Sequence, residues 1–338
     1  MPAVTDLVNS SVYNSIRSSI NNVLGVGDGA QNGYGRTLES ESKADNDIIR
    51  ASDMQLLYND LVKARTHQSG NPPTWTAPDG LGAPSAGEIV GVYAADVGTG
   101  GTSVDATTDL NEGFADFEAA ATDIIDDRDT FDAGQFSTTI ENNNERQSSW
   151  NGEITHTVTV TWLNADERRY FFNTGGAIKF NANLTGGTSV PGDVTTTPPG
   201  TKDEIWQTML GTMGTITFGK TTTVADGSNP GTGTNVGNYY DSWASTSSSS
   251  PIGIFSKSGA GLYAENEYSI VAWETAPNSI RFLISFYDND IGDDQGGNSS
   301  TGPEDEDVTG VTTSTVSFLT ATGVLGISQP ALTVNSNL

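Results

Sequence analysis

Glu153-Ile-Thr-His-Thr-Val-Thr-Val-Thr-Trp-Leu163 is the stretch whose reading decides the fold. Ile154, His156, Val158, Val160 and Trp162 alternate with Thr155, Thr157, Thr159 and Thr161. Successive side chains of an extended chain point to opposite faces, so the run predicts a half-buried antiparallel strand with a threonine-lined outer face. The same period returns at Ile178, Phe180, Ala182 and Leu184, at Ile280, Phe282, Ile284 and Phe286, and more weakly at Thr312, Ser314, Val316 and Phe318. Thr215–Phe218 and Tyr268–Trp273 supply two more strands. Six strands separated by long Gly/Ser/Thr loops predict a β-sandwich over residues 151–338. Lys202–Met209 reads as a short helix between strands, with Trp206, Met209 and Leu210 turned inward.

Outward from that domain the period changes. In residues 1–70, Val8, Val12, Ile16, Ile20 and Val23 or Leu24 form a helical stripe that ends in Gly25-Val-Gly27-Asp-Gly29. A second helix is predicted from a capping pattern at Ser52-Asp-Met-Gln55, with Leu57, Leu61 and Ala64 on one face and a stop at Gly70 and Pro72-Pro73. Two helices with single apolar stripes cannot bury themselves alone, so this segment reads as one that docks on something else. Residues 71–150 read as a linker with one strand at Glu88–Ala94 and a third helix over 109–131, closed by the polar run Glu141–Arg146. The fold class is therefore α+β, mainly β: a helical N-terminal segment followed by an antiparallel sandwich-like domain.

Fifteen Lys and Arg stand against 42 Asp and Glu, a formal charge of −27 over 338 residues. A field of that sign repels phosphate backbones and anionic head groups, which argues against nucleic acid and membrane as partners. No apolar run approaches the ~20 residues of a membrane span. Cysteine is absent, which excludes disulfides and thiolate chemistry. The start Met1-Pro-Ala-Val-Thr-Asp6 carries neither a basic nor an apolar signal region, so secretion is not expected.

Catalytic groups are sparse. The two histidines read as a packed His156 on an inward strand face and a surface or interface His67 beside Lys63 and Arg65. No Gly-x-Ser-x-Gly elbow offers a nucleophile, and Gly25–Gly29 follows a helix where a dinucleotide loop would follow a strand. Forty-two acids make chance carboxylate pairs certain, so pairing alone marks no hydrolase. Among candidate ligand sites, Asp288, Asp290, Asp293 and Asp294 cluster oxygen ligands suited to Ca²⁺, although the EF-hand register fails at Gly292 and a solvated acidic loop is the simpler reading. Tyr239, Tyr240 and Trp243 are loop aromatics able to stack on a sugar or fill a neighbour's pocket. Arg168 and Arg169 follow the first strand and read as a corner whose guanidinium groups pair with acids within or between subunits.

Several stretches resemble virion structural proteins of tailed phages, especially marine and cyanobacterial ones. The resemblance lies in Asn22–Gly29 with Gly33-Tyr-Gly35, in Tyr58–Gln68, in His156–Val160, and above all in Arg168-Arg-Tyr-Phe-Phe-Asn-Thr-Gly-Gly-Ala-Ile178. Trp206–Leu210, Gly214–Phe218 and Tyr263–Tyr268 extend it. It implies a non-enzymatic tail- or fibre-associated component of the virion, a homo-oligomer (a trimer among the possible states) that contacts other virion proteins and needs no cofactor. Two further roles stay open at this point: a host-surface glycan or receptor-binding module, and a capsid decoration protein.

Overall fold

A computed structural model of the chain describes residues 10–70, 114–187, 201–289 and 307–338. The expected strand at Glu88–Ala94 and the acidic residues Asp290, Asp293 and Asp294 lie outside them. Among the described residues there are five α-helices and eleven β-strands, and the chain divides into two compact units. The first comprises Met1–Ser137 with the short segments Asn173–Gly175 and Ala321–Ile327. The second comprises the rest.

In the first unit, helix α1 (Ser10–Val23) buries Tyr13, Ile16, Ile20 and Val23, a three-four spacing that makes one apolar stripe. Helix α2 (Ala51–Ser69) buries Met54, Leu57, Leu61 and Ala64. Helix α3 (Phe114–Asp126) closes the core with Phe117, Ala121 and Ile124. The third helix is thus part of the helical core and not a linker element, and it ends at Asp126, short of the expected residue 131. Leu325, from the segment after the tenth strand, fills the same core. The start of α2 also differs from the capping pattern read in the sequence: Ser52 lies inside the first turn, and the Asp53 carboxylate accepts the Arg50 N–H at 2.8 Å.

The glycine loop after α1 folds back on its own helix end, with Tyr34, Gly35 and Arg36 N–H donating to the carbonyls of Val23, Gly25 and Leu24. Gly33 stands at φ +76°, and a Cβ there would meet the Val26 carbonyl at 2.5 Å, so only glycine closes this turn. The Asn173 amide donates to the carbonyls of Asn32 (2.7 Å), Gly33 (3.0 Å) and Ala30 (3.4 Å), a cradle that holds the loop.

The second unit is built from two sheets, ordered β1-β10-β3-β4-β5 and β11-β2-β9-β8-β7-β6, in which β1 is Phe136–Arg146, β5 Thr223–Ala225, β6 Thr232–Gly233, β7 Ile252–Ser258 and β11 Ala331–Ser336. Strand β2 (Gly152–Thr161) pairs antiparallel with β9 (Ser279–Asp288), placing Val158 opposite Phe282 and Thr159 opposite Arg281. β9 pairs in turn with β8 (Glu267–Ala276). Strand β10 (Val311–Ala321) pairs with β3 (Ala177–Thr185), and β3 with β4 (Ile216–Phe218). The period of two is kept: Ile154, His156, Val158 and Val160 are buried while the intervening threonines are half-buried. The inner faces meet through aromatic pairs, Phe180–Phe282 and Phe218–Phe282, each at 5.2 Å. The weak polar alternation of β10 has its reason here, because Ser314 Oγ meets His156 Nδ1 at 2.9 Å and Thr312 Oγ1 accepts the Trp150 indole N–H at 2.9 Å.

Three local readings change. Residues after Leu163 do not turn a corner but form helix α4 (Ala165–Asn173), started by Asn164 Oδ1, which accepts the Glu167 N–H at 2.9 Å. The polar run Glu141–Arg146 is the end of strand β1 (Phe136–Arg146), an edge strand whose residues are largely exposed or half-buried. Helix α5 (Lys202–Met213) is longer than predicted and begins with a reciprocal Thr201–Glu204 capping box.

Candidate functional site

Helix α4 runs out of the turn after β2 and carries Arg168 on the side that meets the second sheet. Arg168 is only 5 % exposed. Its Nε donates to Asn238 Oδ1 at 2.7 Å, and its Nη1 donates to Glu274 Oε1 at 2.5 Å and to the Pro277 carbonyl at 3.1 Å. Glu274 and Pro277 sit at the end of the β8–β9 hairpin, which is pinned in place by the Asn278 amide donating to the Trp162 carbonyl at 2.6 Å and by the Trp162 N–H donating to the Asn278 carbonyl at 2.9 Å. The guanidinium lies 6.0 Å from the Trp162 ring and 5.9 Å from the Trp243 ring. Burial lowers the Arg168 pKa from its usual value while the Glu274 carboxylate opposes that shift. An arginine so paired stays charged.

Around this group opens a cleft of about 250 Å³ lined by Ala165, Arg168, Arg169, Asn238, Tyr239, Trp243, Glu274 and Pro277. Two sets of residues that the sequence offered separately, the arginines and the loop aromatics, thus come together in one place. Arg168 pairs with an acid of its own chain, the first of the two alternatives read from the sequence. Trp243 is 6 % exposed, with its indole N–H donating to the Asn238 (2.9 Å) and Gly237 (3.2 Å) carbonyls, so it is a wall of the cleft and not a free stacking platform. Tyr240 sets its ring edge against Trp243 at 5.7 Å. Arg169 is partly exposed, lies over the Tyr170 ring at 4.5 Å and reaches Asp166 at 3.3 Å. Asn238, Glu274 and Pro277 carried no mark in the sequence reading. The Pro277-Asn278 turn between two apolar strands was the available signal for a hairpin end.

A second cleft, of about 470 Å³, is lined by Thr222–Ala225, Pro230, Gly231, Gly233, Thr234 and Asn235 and offers hydroxyls, one amide and backbone groups.

The remaining sequence-derived sites resolve otherwise. His67 belongs to the helical unit and is fully buried, not at a surface. Its Nε2–H donates to the Thr174 carbonyl at 3.1 Å, and its ring packs against Tyr34, Phe131 and Phe136. Asp288 does not face solvent as a calcium ligand would: its Oδ2 pairs with Lys202 Nζ at 3.0 Å, and both side chains are 0 % exposed. Among the described residues no group of three or more His, Asp or Glu side chains is arranged to hold a metal ion, and no helix is long and apolar enough to cross a membrane. Compared with protein-family models, curated proteins and solved structures, the chain gives no match.

Proposed function

We propose that this chain is a non-enzymatic structural protein of a tailed-phage virion, tail- or fibre-associated, that self-assembles and docks through its N-terminal helical region while the β unit packs laterally. The observation that carries the reading is the outer face of the six-stranded sheet. Thr155, Thr157 and Thr159 on β2, Ser269 and Val271 on β8, and Leu283 on β9 lie in register there. The charge in their midst, Arg281, is turned to Thr159 Oγ1 at 2.8 Å and to the Trp273 ring at 5.8 Å. In a chain of net charge −27, copies repel one another except where charge is thin. Leu283 with the threonines, Ser269 and Val271 around it forms such a place, bounded at one end by Glu153 and Glu267 on either side of Tyr287. Strands β1 and β11 (Ala331–Ser336) are the outer strands of their sheets among the described residues, and an edge strand is where a neighbour can add its backbone.

Two measurements test it. Leu283→Glu puts a like charge at the centre of the face, and sedimentation should show the oligomer shifted to monomer with the thermal midpoint of the monomer kept within a few degrees. An unchanged oligomer removes the lateral-packing surface. Immunogold labelling of particles that carry the chain should mark the tail or fibre with few grains. Label spread over the capsid in hundreds of copies makes the chain a decoration protein instead, and particles without label overturn the virion reading.

A further inference from the structure

We propose that the cleft around Arg168 binds a carboxylate-bearing sugar unit, such as a uronic acid, with Arg168 Nη2 as the donor to its carboxylate. The inference stands on the cleft alone and goes beyond the assembly role.

Local charge comes first. The lining holds two arginines and one carboxylate, Glu274, in a chain whose overall charge is −27. Glu274 offsets Arg168 and Asp166 offsets Arg169 at 3.3 Å, so the local charge is near balance in a strongly acidic chain, and an anion is repelled less here than by the acidic surface at large. Next comes preorganisation. Arg168 Nε and Nη1 are both engaged with Asn238, Glu274 and Pro277, whereas Nη2 makes no hydrogen bond to any described residue. The plane of the guanidinium is set by these bonds and by two flanking indoles, so little side-chain freedom is lost when a ligand takes the remaining nitrogen.

The rest of the lining selects the class of anion. Glu274 accepts from Arg168 through Oε1, which leaves Oε2 to accept from a ligand O–H. The Glu274 carboxylate repels any anion, a phosphate dianion about twice as strongly as a singly charged carboxylate, and one free guanidinium nitrogen suits the smaller charge. Tyr239 and Pro277 supply an apolar wall against which the C–H face of a pyranose ring lies. A volume of about 250 Å³ takes one ring with its substituents and not an extended drug-sized molecule.

The test is isothermal titration of the full chain with sodium glucuronate, glucose and N-acetylglutamate at matched ionic strength. Saturable binding of glucuronate, tighter than glucose by about tenfold or more, is expected from one charge-assisted hydrogen bond. Tyr239→Ala should weaken glucuronate about threefold or more through loss of ring contact, with the unfolding midpoint kept. Arg168→Lys should erase the preference over glucose. Should that buried substitution unfold the chain, Tyr239→Ala decides. No saturable glucuronate binding, equal affinity for glucose, or a Tyr239→Ala variant that binds like the parent overturns the proposal. N-acetylglutamate binding as tightly as glucuronate also overturns it, by reducing the site to one for carboxylates in general.

Discussion

Asp288→Ala is expected to destabilise the β unit by about 3–5 kcal/mol, because it takes from the buried Lys202 ammonium the carboxylate that lies 3.0 Å away. Both side chains of that pair are 0 % exposed and their charged atoms are 3.0 Å apart. Lys202 opens helix α5, and the Tyr263 ring lies 5.8 Å from its Nζ. Removing one charge costs far more than removing both, since two well-packed apolar residues avoid the desolvation that the pair must offset. The double replacement Lys202→Met with Asp288→Leu should therefore recover most of the loss. Urea unfolding read by tryptophan emission checks both, because Trp206 lies in α5 and Trp150 packs on it at 5.3 Å. A loss of less than about 1 kcal/mol for the single variant would show that water reaches the pair. The same experiment separates this role from calcium binding: the loss should be equal with and without Ca²⁺, whereas a ligand residue would lose stabilisation only when the ion is present.

The second large effect is acid sensitivity. Burial lowers the pKa of His67 from 6.5 to about 4, with the Thr174 carbonyl acting in the opposite direction and the nearby Arg36 charge adding to the fall. Burial alone takes His156 from 6.5 to about 4. The sign follows from which state binds protons. Both rings are neutral in the folded chain, and the unfolded chain takes up protons first as pH falls. The stabilisation is complete above pH ~6.5 and is lost progressively down to about 4, at roughly 3 kcal/mol for each ring. Protonation would put a second N–H on each ring, and neither His67 Nδ1 nor His156 Nε2 meets an acceptor among the described residues. Chemical denaturation at neutral pH and at about pH 5 should show the fall. Because the two histidines sit in different units, His156→Leu should flatten the pH dependence of the β unit and leave that of the helical unit unchanged. An equal slope in parent and variant between those pH values would show that His156 is not the titrating group.

Much of the frame was legible from periodicity. Strands β2, β3 and β9 follow their apolar alternation residue for residue, because each has one face on the sandwich core and one face away from it. Edge strand β1 escaped notice because neither of its faces is deeply buried, so no apolar alternation is imposed on Glu141–Arg146. Helix α4 was missed for a related reason. It is nine residues long with charged residues in its first turns, and the Asn164–Glu167 capping signal was its only sharp mark. The division into units was hidden for a different cause. Asn173–Gly175 and Ala321–Ile327 are counted with the helical unit although the β unit surrounds them in sequence. Leu325 looks like any loop leucine until it is seen in the helical core.

The candidate site shows the same limit. Arg168, Arg169, Tyr239 and Trp243 were singled out by residue type, but that they share one cleft rests on a hairpin end some 110 residues downstream of α4 that brings Glu274 and Pro277 to the guanidinium (from Arg168 to Pro277). By itself the sequence determined the periods of strands and helices, the acidic field and the want of thiol chemistry, since these depend on neighbours along the chain or on composition. Only the tertiary structure decided the fate of its polar residues: Asp288 as a buried counter-ion, His67 as a core ring, Trp243 as a wall, and Arg168 as the fixed centre of a cleft. The free energy of a buried charge or ring depends on which distant partner satisfies it, and no local pattern records that partner.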